Sequence, residues 1–151
     1  MKVLVFHIGN DRYGLPLADI VRVLPLLQLK QLPLTPDYVA GLMDLHGAHV
    51  PVIDLSRLAG LAPAATQFDT RIVIVDYRPD DGTSHALGLM ASRVRGIEQI
   101  DAARLADSGV RSAPFLGQVA SGSEGTLQLV QLQQLLTPEV RALLFPAGSA
   151  S

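Results

Sequence analysis

Apolar positions along the chain fall into short blocks separated by turn residues. Val3-Leu4-Val5-Phe6-His7-Ile8 is apolar and rich in β-branched residues, and Gly9-Asn10-Asp11 follows it, a pattern that predicts a strand entering a hairpin. Extended structure resumes at Tyr13-Gly14-Leu15. A short helical turn is predicted over Leu17 to Val21, then a strand over Val21-Arg22-Val23-Leu24. Pro25, Pro33 and Pro36 keep the next stretch irregular, because proline lacks the donor a ladder needs. Val39 to Leu45 and Val50 to Leu55 predict a strand pair around His46-Gly47-Ala48. Ala62-Pro63-Ala64-Ala65-Thr66 is a linker by composition.

The pattern then recurs. Arg71 to Tyr77 predicts a strand, Pro79-Asp80-Asp81-Gly82 a turn, and Ala86 to Leu89 a further strand. Phe115 to Ala120 and Thr126 to Leu132 flank Ser121-Gly122-Ser123-Glu124-Gly125, a hairpin loop by its glycines. Thr137-Pro138-Glu139 predicts a helix start, with threonine as cap and proline in the first turn. Residues 146–151 are expected to form a mobile tail. Gly14-Leu15 recurs as Gly88-Leu89, 74 residues on (88 − 14), and Gly41 as Gly117, 76 on (117 − 41). Val52 to Leu58 recurs as Leu129 to Leu135, 77 on (129 − 52). These anchors predict one domain over residues 1–151 with two related halves, roughly 3–61 and 71–136. Strands this short and numerous argue for small barrels or a sandwich. A half of about 70 residues is marginal alone, so the halves are expected to bury a face against each other, exchanging near the linker at 62–70.

Composition narrows the possibilities. Charged residues are 17% of the chain, below the ~25% usual in soluble domains, so some apolar surface is expected to stay uncovered as a partner site. The net charge of −2 and the absence of a Lys/Arg cluster argue against a nucleic-acid partner. The chain has no cysteine, which removes disulfides, thiolate catalysis and Cys-based zinc sites. No apolar run approaches the ~20 residues that span a bilayer, and Met1 to Asp11 is too short and too interrupted for a signal-peptide core. A cytoplasmic protein without membrane insertion is expected.

The densest candidate chemistry lies in "GLMDLHGAHVPVIDLSRL", residues 41–58. His46 and His49 would share a face on a helix, but the context is turn and strand, where i and i+3 point to opposite faces. A joint metal site is therefore not expected. Ser56 with Asp54 and a histidine has the residue types of a nucleophilic triad, yet no G-x-S-x-G elbow surrounds it. Asp54 to Leu58 reads more simply as a strand end entering a capped helical turn. The glycines at 121–125 lack the lysine and helix of a phosphate loop, and Asp80-Asp81 reads as a solvated turn pair. Neither catalytic residues nor a cofactor are expected.

The segments together resemble the CheW-like chemotaxis coupling proteins. Phe6 to Gly9, Tyr13 to Leu17 and Ile20 to Val23 look like that family's opening, and Leu32 to Pro36 with Val39 to Gly47 like its middle signature. Residues 50–55, VPVIDL, match the family pattern without change, and the resemblance spans about residues 3–136. It implies an all-β fold with short helices, built as two five-stranded SH3-like barrels around a shared core. It also implies a non-catalytic adaptor that couples the cytoplasmic tips of chemoreceptors to the regulatory domain of a CheA-type histidine kinase, recruited to membrane-associated arrays. By the same resemblance the partner-binding residues are Ile20, Arg22, Val39, Leu42, Asp44, Leu45, His46 and Gly47. Two positions depart from the family. Arg22 stands where glutamate is frequent, and His46 where arginine is usual. Two bases are expected to forgo the glutamate–arginine pair, face outward near the groove between barrels and tune partner choice. A CheW-like scaffold in a non-motility signalling cluster is an alternative. An enzyme would need a pocket of convergent polar groups, and the sequence offers none.

Overall fold

A computed structural model describes residues 1–63, 69–79, 82–110, 113–122 and 125–146. Among the described residues there are nine strands. They are β1 (Lys2–Ile8), β2 (Asp11–Pro16), β3 (Ile20–Pro25), β4 (Val39–Leu45), β5 (Ala48–Asp54), β6 (Arg71–Tyr77), β7 (His85–Gln99), β8 (Leu116–Gly122) and β9 (Gly125–Val130). Two short helices, α1 (Leu55–Leu58) and α2 (Pro138–Leu144), and 3-10 turns at Leu17–Asp19, Ala102–Arg104 and Leu132–Gln134 complete it. The expected turn at Pro79–Gly82, loop at Ser121–Gly125, linker at Ala62–Thr66 and tail at 146–151 each lie partly or wholly outside the described residues.

The local chemistry accounts for the boundaries. Asp54 caps α1 by accepting from the backbone N–H of Ser56 and Arg57, and Thr137 caps α2 by accepting from Val140 N–H. Two elements differ from the sequence expectation. β9 ends at Val130, so Leu132 falls in a 3-10 turn. The strand predicted at Ala86–Leu89 runs for 15 residues as β7. Its second half is hard to read because Ser92, Arg93, Arg95 and Gly96 interrupt the apolar pattern. Arg93 has φ +50°, and the β1·β7 register shifts opposite Val5–His7. That bulge bends the strand and re-aims it.

β7 is the hinge of the architecture. Its first half pairs antiparallel with β6 and parallel with β5, while its second half pairs with β1. One five-stranded barrel therefore contains β3, β4, β5, β6 and the start of β7. The other contains β1, β2, β8, β9 and the end of β7. This is the all-β, two-barrel SH3-like architecture. The barrels do not follow the halves of the sequence, and the expected exchange at residues 62–70 is corrected. That linker joins β5 to β6 within one barrel; the chain crosses between barrels from β2 to β3 and again along β7.

Equivalent positions do equivalent work in each barrel. Gly14 on β2 faces Leu129 on β9, and Gly88 on β7 faces Val52 on β5, both across parallel pairings. A Cβ on Gly14 would stand 3.0 Å from Leu127 Cδ2, and one on Gly88 3.0 Å from Val52 Cγ2. Isolated bridges Lys30↔Leu42 and Ala106↔Val119 extend the barrels at matching places. The main core lies between the barrels and draws Leu4, Phe6 and Leu15 from one, Ile53, Val73 and Leu89 from the other. Leu132, Leu135, Leu136 and Val140 close it. Val52 and Ile53 are both fully buried but on opposite faces: Val52 in the interior of the β3–β7 barrel, Ile53 in the shared core. No helix among the described residues is long and apolar enough to cross a membrane.

Candidate functional site

The residues of the 41–58 stretch are placed by the β4–β5 hairpin. Leu45 pairs with Ala48, leaving a two-residue turn of His46 (φ +52°) and Gly47 (φ +88°). Positive φ at both positions is the type I′ geometry that matches strand twist. Histidine is among the few non-glycine residues enriched in that left-handed region. Asp44 Oδ1 accepts from Gly47 N–H at 2.8 Å and braces the turn.

The braced turn holds His46 outward, and Arg22 on β3 reaches it. Arg22 Nη1 lies 3.4 Å from His46 Nε2, both side chains exposed. A guanidinium only donates, and Nε2 is the ring atom it faces. The glutamate–arginine ion pair usual in the family is absent here, as two bases at these positions require. The two side chains nonetheless stand in contact at the hairpin tip.

The other candidate positions divide into groups. Asp44 and Gly47 share the hairpin tip with His46. Leu42 is half-buried and exchanges backbone hydrogen bonds with Lys30 at 2.7 and 2.9 Å. Leu45 packs against the barrel interior, whereas Ile20 and Val39 pack against the shared core. The tip is thus polar, and the apolar members lean inward. His49 is exposed and sits opposite Asp44 in the ladder. Ser56 donates its hydroxyl to Ala62 O at 2.6 Å, and Asp54 is buried as a cap; both are engaged in structure, not arranged as a triad. Among the described residues no three His, Cys, Asp or Glu side chains are grouped to hold a metal ion.

Two surfaces escaped the sequence. Val21 and Val23 are exposed beside Arg22 on β3, at 65% and 41%, so the strand carries apolar area around its cation. A cleft of about 750 Å³ between the barrels is lined by Asp19, Asp76, Arg78, Gln118, Gln131 and Leu132, among others. Burial pushes the Asp19 carboxyl up; nearby Arg78 opposes this and Asp76 adds to it. Asp76 is held below the usual carboxylate range by hydrogen bonds from Ser84 and then Arg78. These residues come from segments spread between positions 19 and 132, and no spacing signals them.

Comparison with known proteins places this geometry. The model of the CheW-like domain matches residues 2–139. The chemotaxis protein CheW of Klebsiella aerogenes is 27% identical over 149 residues, covering 95% of this chain and 86% of that protein. Protein FrzA of Myxococcus xanthus is 28% identical over 136 residues, covering 87% and 82%. The crystal structure of the scaffolding protein TtCheW from Thermoanaerobacter tengcongensis superposes with a TM-score of 0.80 at 25% identity, covering 92% of this chain and 89% of that one.

Proposed function

This chain belongs to the CheW-like domain family, and from that premise we propose that it is a non-catalytic chemotaxis adaptor coupling chemoreceptor tips to the regulatory domain of a CheA-type histidine kinase. The observation that carries the proposal is the family match across residues 2–139 together with likeness to a scaffolding protein over 92% of the chain. The physical features support it. The exposed side chains of β3 and the β4–β5 tip combine apolar area with one cation and one imidazole, a composition suited to a protein contact. Asp54 and Ser56, the residues with the types for hydrolysis, are engaged in capping and turn hydrogen bonds. The adaptor acts in the cytoplasm at membrane-associated receptor arrays, by the same proposal, with Arg22, Asp44, His46 and Gly47 as its tip contacts and Ile20, Val39, Leu42 and Leu45 supporting them.

Titration calorimetry with the kinase regulatory domain and with a receptor tip hairpin from the same organism tests this. Binding in the micromolar range, about 8 kcal/mol, is expected for each. Absence of heat with both at concentrations well above that range would overturn the proposal.

A further inference from the structure

The cleft between the barrels contains two carboxylates, and only one of them is occupied. Asp76 is fully engaged. Its Oδ2 accepts from Arg78 Nε at 2.7 Å and faces Arg78 Nη2 at 2.6 Å, and its Oδ1 accepts from the Ser84 hydroxyl. Asp19, half-buried in the 3-10 turn after β2, has neither a hydrogen-bond nor an ion-pair partner among the described residues, and Arg78 acts on it only through space. The charged lining is these two carboxylates and the one guanidinium, which leaves the cleft with a net negative charge. The other barrel lines it with the exposed amides of Gln118, Gln131, Gln133 and Gln134, whose side chains make no hydrogen bond among the described residues. Leu129 and Leu132 add apolar lining. A volume of about 750 Å³ is in the range of small-molecule sites.

We propose that this cleft binds a small guanidinium compound, a single guanidinium on a short aliphatic stem, between Asp19 and the glutamine amides. The site is independent of the adaptor reading. The charge of the lining selects a cation, and the acceptors select its kind. A guanidinium carries five N–H donors in a planar fork, and a carboxylate accepts two of them side by side. The remaining donors are free for amide oxygens of the opposite wall, while the stem lies against Leu129 and Leu132. An ammonium is a compact, strongly hydrated charge with three donors, so it gives up more water for fewer bonds. Asp19 is where a cation matters most. Burial is the main cause that disfavours its ionised form, and an opposite charge brought beside it relieves that penalty. Asp19 directly precedes β3 of one barrel, whereas the glutamines lie on β8 and after β9 of the other. The bound compound therefore ties the barrels together.

Butylguanidine and butylamine, equal in charge and in stem, test this at pH 7 on the full chain. In backbone amide NMR spectra, butylguanidine should shift the signals of Asp19, Gln118, Gln131, Gln133 and Gln134 saturably, with a Kd of about 1 mM or tighter, and should raise the melting temperature. Butylamine should bind about tenfold more weakly or worse. No shift at these residues with about 20 mM butylguanidine, or equal binding of the two compounds, would overturn the proposal. Asp19→Asn keeps the shape of the side chain and removes its charge, and should weaken butylguanidine binding about tenfold or more. Arg78→Met removes the competing guanidinium and frees Asp76, so it should tighten binding. Full-affinity binding by Asp19→Asn, or weaker binding by Arg78→Met with the amide spectrum of the fold retained, would overturn the proposal. A capped Gly-Arg-Gly peptide that binds more tightly than butylguanidine would replace the small compound by a protein's arginine side chain and overturn the assignment.

Discussion

At Gly88 a single hydrogen separates a tight parallel contact from a clash. A Cβ there would meet Val52 Cγ2 at 3.0 Å and Ile72 Cγ2 at 3.2 Å, both on buried residues that cannot swing away. Gly88→Ala is expected to cost ~1–3 kcal/mol as an overpacked core, read as a drop in urea midpoint at unchanged slope. Asp19 gives the opposite sign. Its carboxyl pKa is raised mainly by burial, so the fold disfavours the ionised form. That penalty is present above the folded pKa and gone below the unfolded one. Asp19→Asn should therefore raise the melting temperature at pH 7, and the gain should vanish near pH 3. A gain that persists in acid would mean that the charge of Asp19 is not its source.

Among the elements, β7 carries the most unusual demand. Arg93 adopts φ +50° where the strand passes from one barrel to the other. A left-handed L-residue costs about 1–2 kcal/mol, and a β-branched one more. Arg93→Val should destabilise by ~1–2 kcal/mol, while Arg93→Gly should stay within about 0.5 kcal/mol of wild type, since relief of strain offsets added chain entropy. Equal effects in chemical denaturation would show that backbone conformation at the bend does not matter. α2 responds to its cap: Thr137→Ala removes the acceptor for Val140 N–H and should cost about 1 kcal/mol.

For the whole molecule, strand exchange makes the two halves interdependent. Residues 1–63 supply β1 and β2 to one barrel and β3, β4 and β5 to the other, so neither barrel closes from that fragment. A peptide of residues 1–63 is expected to show no cooperative melt alone and to regain one when mixed with residues 64–151. A sharp melt of the isolated fragment would refute the interdependence. Val52→Ala and Ile53→Ala should each cost ~2–4 kcal/mol, although one empties a barrel interior and the other the shared core.

What the sequence by itself determined is what local rules govern. β-branched runs, the glycines of the hairpins, the proline breaks and the Asp54 and Thr137 caps each act within a few residues, and the offsets of 74 to 77 residues marked matching positions. The signature at 39–55 pointed to the family. Tertiary structure alone decided the rest, because it depends on which distant strands share hydrogen bonds. Alternation in β7 cannot announce that its ends belong to different barrels. Nor can the identities of Arg22 and His46, 24 positions apart, announce their contact: as isolated residues they are two bases, and only a braced turn beside β3 brings their side chains together.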